Sequence, residues 1–174
     1  QNHYKGGRTA ASLISKICPP NTNIGVIISS HNLSCHQDRL RGFEDKLAEL
    51  NSDFKILDIQ ENQDRKDDAF RITLEYCNNY PELGAIYLTS GGITGVASAL
   101  EIAEKTQQIK VICHDITTDT VPLLKKGVVD FALGQSPVLQ GYQLVKTLFE
   151  YLVKNICPPD NIEIPITIAT DESL

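Results

Sequence analysis

Gly84-Ala85-Ile86-Tyr87-Leu88-Thr89-Ser90-Gly91-Gly92 is a short apolar run that stops at small polar residues and two glycines, and a helical pattern starts directly after it. Ile86, Tyr87 and Leu88 show no alternation of apolar with polar residues. That continuity predicts a strand buried on both faces, as strands of a parallel sheet are. In an open α/β sheet, ligands gather where strands end and helices begin. Here that place is Ser90-Gly91-Gly92, and other strand-to-helix loops should converge on it.

The same alternation of buried strand and amphipathic helix extends in both directions. Upstream, Ala10, Leu13, Ile14 and Ile17 fall at helical spacing from Arg8, after a polar, turn-like Asn2 to Gly7, and Cys18-Pro19-Pro20 stops that helix. Ile24 to Ile28 is a second buried strand, followed by a polar loop from Ser29 to Cys35 and a helix carrying Leu40, Phe43, Leu47 and Leu50. Phe54 to Ile59 alternates and predicts a half-exposed edge strand; a helix with Phe70, Leu74 and Cys77 then leads to the opening stretch. Downstream come a helix from Ile93, a strand from Lys110 to His114 and a short helix from Thr118 to Lys126 with Gly127 as its cap. A strand from Val129 to Leu133, a long helix from Pro137 to Lys154 and a last strand from Ile162 to Ala169 complete the chain. The expected fold is α/β: a Rossmann-like parallel sheet in the order 2-1-3-4-5 with helices on both faces, the last strand adding at an edge.

Composition narrows the function classes. With 174 residues the chain suffices for one domain with a sizeable core, without disulfides or a metal to hold it. A formal charge of −6 argues against a broad electrostatic grip on nucleic acid. No apolar run reaches membrane-spanning length, and no signal-peptide pattern opens the sequence. Five scattered cysteines without a C-x-x-C pair suggest reduced thiols and a cytoplasmic location. The absence of methionine and the start at Gln1 suggest a processed or truncated piece.

The residues just after the strands define the candidate site. They include one guanidinium (Arg39), two carboxylates (Asp64 and Asp115), the amide of Gln135 and the hydroxyls of Ser90 and Thr117. Planar donors and acceptors of this kind suit a polyhydroxylated ligand such as a sugar. Asp115 serves equally well as a cap for the helix that follows it. Arg39 in the first turn of a helix opposes the dipole, which favours acids there, and that misplacement points to a ligand role. Ser90-Gly91-Gly92 with Gly95 matches no nucleotide-binding motif and reads equally as a tight turn. His31, Cys35 and His36 read as a solvated loop; neither a metal nor a cofactor is expected. His114 beside Asp115 could form a catalytic pair, but no nucleophile stands at a recognisable elbow, so no enzyme is expected.

Five motifs occur in an order that resembles a known family. Gly6-Gly7-Arg8-Thr9-Ala10-Ala11, Asp38-Arg39-Leu40-Arg41-Gly42-Phe43, Lys110 to Asp115, Leu123 to Gly127, and Gly134-Gln135-Ser136-Pro137 with Gln140-Gly141 resemble a type I periplasmic-binding-protein fold. They most resemble the effector domain of lactose-repressor (LacI/GalR) family regulators. The resemblance implies that Arg39, Asp115 and Gln135 contact a sugar-like effector. It also implies a division into a second lobe over 1–136, a return segment of the first lobe over 137–161, and a final strand and tail over 162–174. Ser90-Gly91 stands where that family has Asn-Asp, and no stacking aromatic is evident near Asp64.

Three functions follow as expectations. The first is the sugar-sensing part of a cytoplasmic transcription regulator whose DNA-binding helix-turn-helix lies outside this chain. The alternative is a solute-binding protein of an ABC-type sugar transporter, and the third is an α/β enzyme using His114 and Asp115. The five thiols favour the regulator. Val138, Tyr142, Val145, Leu148, Phe149 and Leu152 form a wide apolar stripe on the long helix, for which a second copy of the chain is the expected cover.

Overall fold

The computed structural model describes residues 2–50 and 53–174. Six strands form one sheet, β1 (Asn23–Ile28), β2 (Lys55–Glu61), β3 (Leu83–Leu88), β4 (Lys110–His114), β5 (Phe131–Gly134) and β6 (Thr167–Ala169), in the order β2-β1-β3-β4-β5-β6. The first five run parallel, and β6 joins β5 antiparallel. The helices are α1 (His3–Ile17), α2 (Ser34–Glu49), α3 (Lys66–Asn79), α4 (Ile93–Ile102), α5 (Thr120–Lys125) and α6 (Pro137–Lys154). The expected order and the central place of the opening stretch both stand.

β3 is buried on both faces, and its side chains divide between two cores. Ile86 and Leu88 join the cluster under α3, α4 and α5, while Ala85 and Tyr87 join the one under α1 and α2. Neighbouring β1 splits the same way, with Ile27 on the first side and Ile24, Val26 and Ile28 on the second. Burial of each such side chain contributes about 1.5–3 kcal/mol, which is why Ile24–Ile28 and Ala85–Leu88 carry no charged or amide side chain on either face. β2 is the half-exposed edge strand expected of its alternating sequence.

Several boundaries differ from the sequence reading. α1 starts at His3 rather than Arg8, because Asn2 caps it by accepting the Lys5 backbone N–H at 2.9 Å. Gly6 and Gly7 therefore lie inside a helix despite their poor propensity. The reason is proximity: a Cβ on Gly7 would lie 1.8 Å from the Arg39 carbonyl oxygen, and one on Gly42 would lie 2.0 Å from that of Tyr4. α1 and α2 touch backbone to backbone, with a glycine at each side of the contact. α2 begins at Ser34 inside the expected loop, and α5 and β5 begin two residues later than expected. The last strand is reduced to Thr167–Ala169, since Pro165 has no N–H for a ladder.

α6 stands apart from these layers. None of its residues is buried, and Val138, Tyr142, Val145, Leu148, Phe149 and Leu152 are all exposed.

Candidate functional site

The C-terminal ends of β1 to β5 bring their loops to one rim. The order reverses between β1 and β3, the position at which crevices open in such sheets. The loop after β2 is tied down first. Asn62 is completely buried; its Nδ2 donates to the Gly91 carbonyl at 2.7 Å, and its Oδ1 accepts from the Ser90 hydroxyl at 2.8 Å and the Asp64 N–H at 3.2 Å. Asp64 holds a left-handed backbone at φ 56 and accepts from the Ser29 hydroxyl at 2.7 Å and the Gly91 N–H at 2.8 Å. Burial opposes its charge, but those two hydrogen bonds and the nearby His36 and Arg39 leave its pKa below the usual carboxylate value. Ser90 and Asp64 thus sit on the rim with their polar atoms already engaged by protein groups.

The end of β3 is gripped from α2. His36 Nδ1 lies 2.9 Å from the Thr89 hydroxyl, and Arg39 Nη1 donates to the Thr89 carbonyl at 2.6 Å. Both side chains are buried, which corrects the reading of His36 as part of a solvated loop. Burial and the adjacent Arg39 charge lower the His36 pKa. Arg39 forms no carboxylate pair among the described residues, and its Nε has no hydrogen-bond partner.

Asp115 and Gln135 meet directly. Gln135 Nε2 donates to Asp115 Oδ1 at 2.5 Å, and the Gln140 side chain donates to the Gln135 carbonyl at 2.6 Å. Asp115 has φ 72, a left-handed conformation that a short polar side chain tolerates and that concentrates at functional positions. Its side chain caps nothing. Thr117 instead accepts the Thr120 N–H at 3.2 Å, and Thr120 donates to the Asp115 carbonyl at 3.0 Å. Asp115 Oδ2 has no hydrogen-bond partner among the described residues.

Beside Asp115, His114 turns toward α1, where a Cβ on Gly6 would lie 3.1 Å from its ring. Its Nε2 lies 2.8 Å from the Tyr87 hydroxyl, and the Tyr87 ring stacks on Phe43 at 4.5 Å. Burial first, and then Arg39, hold the imidazole neutral well below its ordinary pKa. Asp64, Ser90, Gly91, His114, Asp115, Thr117 and their neighbours enclose an open cavity of about 390 Å³. A larger groove of about 440 Å³ runs along α6, lined mainly by the apolar Leu144, Leu148, Tyr151, Ile162 and Ile164 together with Gln140, Gln143 and Thr147. The polar cavity is the candidate site. Among the described residues no cluster could hold a metal ion.

Asp115 and Gln135 are therefore adjacent. Arg39 is fastened one strand away at the end of β3, and Asp64 and Ser90 form the opposite rim. Asn62, His36 and Tyr87 were missed. Only Asn62 carried a recognisable pattern, an Asx residue two before another at a strand end.

The comparisons with known proteins agree with this fold. The chain is 22% identical over 173 residues to the D-ribose/D-allose-binding protein of Pseudomonas aeruginosa and spans 54% of that protein's length. Its fold superposes with a TM-score of 0.91 on a glucose-galactose binding protein from Geobacillus stearothermophilus, at 23% identity, covering all of this chain and 62% of that one. An arabinose binding protein from the same organism gives 0.89 at 24% identity, with 99% and 62% covered. These proteins are named for binding sugars rather than for regulating transcription. The Periplasmic binding protein domain family matches residues 1–155, so the chain belongs to that family.

Proposed function

We propose that this chain supplies one wall of a sugar-binding cleft in a solute-binding protein that serves an ABC-type transporter. The carrying observation is Asp115, left-handed, braced by Gln135 and with one carboxylate oxygen free at the cavity. A carboxylate so held accepts from sugar hydroxyls, while the Gln135 amide and the Arg39 guanidinium supply donors. Asp64 and Ser90 shape the rim and reach the ligand through the groups they already bind. The chain spans about half the length of its curated relative, which supports a second wall contributed by residues outside it. On this reading residues 1–136 form one lobe, 137–161 return to the other lobe, and 162–174 close the sheet edge. The uncovered stripe of α6 is what the other lobe, or in its absence a second copy, would bury.

The test is calorimetry of the intact protein against mono- and disaccharides. Asp115→Ala should weaken binding by about 2 kcal/mol or more, since sugar hydroxyls left unpaired cost more than the contact itself. Equal affinities for wild type and variant refute the assignment. Five free cysteines, with Cys157 exposed, favour a second reading as the sugar-sensing part of a cytoplasmic regulator acting on DNA through another domain. A helix-turn-helix in the parent protein would decide for it, and a signal peptide against it.

A further inference from the structure

Five glycines lie inside helices among the described residues, and four of them have a visible cause. A Cβ on Gly6 would press on the His114 ring at 3.1 Å. One on Gly7, Gly42 or Gly95 would lie 1.8 to 2.0 Å from a backbone carbonyl oxygen of the facing helix, that of Arg39, Tyr4 or Lys66. Each of these three marks a place where two helices meet backbone to backbone. The fifth, Gly141 in α6, is exposed, and a Cβ there would meet nothing within 4 Å. Its φ is not positive either. Glycine in a helix interior is less favourable than alanine, and neither the backbone nor any neighbour in this chain accounts for this one.

α6 repeats α1. In both helices the glycine is the fifth residue, Gly7 counted from His3 and Gly141 counted from Pro137. Three, four, seven and eleven positions further on stand Ala10, Ala11, Ile14 and Cys18 in one, and Leu144, Val145, Leu148 and Leu152 in the other. The same four residues, Ile-Cys-Pro-Pro, follow at 17–20 and at 156–159. In α1 this face is buried, packed with Phe43 and Leu47 of α2. In α6 the matching four side chains are all more than half exposed. What α6 lacks is the helix that α2 is to α1.

We propose that a helix of the other lobe crosses α6 at Gly141, backbone to backbone, as α2 crosses α1 at Gly7, and that it brings a glycine of its own to the crossing, as α2 brings Gly42. The inference rests on the two-lobed reading above. The occupant is the protein's own chain: this chain spans about half the length of its curated relative, which leaves room for such a helix, and α1 likewise takes its cover from its own chain. A second copy is the competing occupant.

Thermal melting of the intact protein compares wild type with Gly141→Ala. At an uncovered site the better helix former raises the melting temperature by about 2–4 °C. Against a facing backbone the added methyl forces the helices apart, and the melting temperature should fall by about 4 °C or more. A photoreactive benzoylphenylalanine in place of Tyr142, beside the glycine, identifies the partner independently of how well the alanine variant folds. Mass spectrometry should find it linked within one chain, to a glycine-containing peptide outside residues 1–174. A rise in melting temperature, or a link within the chain to a peptide without glycine, overturns the helix crossing and leaves the two-lobed reading standing. A link to residues 1–174, of the same chain or of a second copy, overturns both.

Discussion

Replacing Asn62 with alanine isolates what holds the candidate rim together. The side chain is completely buried and joins three partners: the Gly91 carbonyl, the Ser90 hydroxyl and the Asp64 N–H. Each neutral hydrogen bond is worth about 1 kcal/mol net, and a buried group left unsatisfied costs about 1–3 kcal/mol. Water entering the vacated space can rescue some of these groups, so the expected loss is about 3 kcal/mol rather than the sum of the worst cases. Against a total stability of about 5–15 kcal/mol for a domain, that is a large fraction. Urea unfolding of Asn62→Ala should therefore show a clearly lower midpoint with an unchanged slope, since the surface exposed on unfolding is the same. Hydrogen exchange at the Asp64 and Gly91 amides should accelerate before exchange in β3 does, because the loss is local. Asn62→Asp serves as a control that keeps the acceptor, removes the donor to Gly91 and brings a second carboxylate beside Asp64. It should be at least as damaging. A fall of less than about 0.5 kcal/mol for Asn62→Ala would show that the rim is held by something else, since surface substitutions typically fall within that range.

Gly42→Ala should destabilise the chain by about 2 kcal/mol or more, because the added methyl meets the Tyr4 carbonyl oxygen at 2.0 Å and the helices must separate. A gain in melting temperature, as helix propensity alone requires, would refute that. The Asp64 carboxyl titrates below its ordinary 3.8 in the folded chain, so its contribution to stability is fully present above that pH and is lost as pH falls through the lowered value. The stability difference between wild type and Asp64→Asn should therefore be constant above pH 5 and shrink below about pH 4, as read by chemical denaturation along a pH series. Finally, sedimentation of the 174-residue chain should show concentration-dependent association through the α6 stripe. A monomer at every concentration, with α6 still helical, would mean that the stripe needs no second copy.

The fold was legible wherever burial is two-sided. β1 and β3 are continuous apolar runs because both faces meet helices, and no other arrangement explains them as simply. The start of α1 was not legible, since two glycines in a polar stretch read as a turn; the need for them lies in α2, some 35 positions away. The loss of most of the last strand turned on one proline, whose missing N–H outweighs the apolar residues around it. At the site, the sequence order put Asp115 and Gln135 on one rim, but the hydrogen bond between them was not legible. The roles of His36 and Tyr87 depend on which buried group each meets across the sheet, and no local pattern encodes that.

The antiparallel pairing of β6 with β5 has a consequence for the order in which the molecule assembles. Ala132 pairs with Ala169, so a short ladder closes a long excursion that contains all of α6. Closing such a loop costs on the order of 3 kcal/mol in chain entropy, which a three-residue strand with one buried side chain repays only when the rest of the sheet is already in place. During synthesis β1 to β5 emerge first and form neighbouring contacts, leaving α6 tethered at one end. Docking of residues 167–169 is then a late, reversible latch. Trimming those few residues would leave β1 to β5 standing and untie the segment at its far end, where the buried Ile164 and the Lys5–Glu163 pair would remain as its other holds.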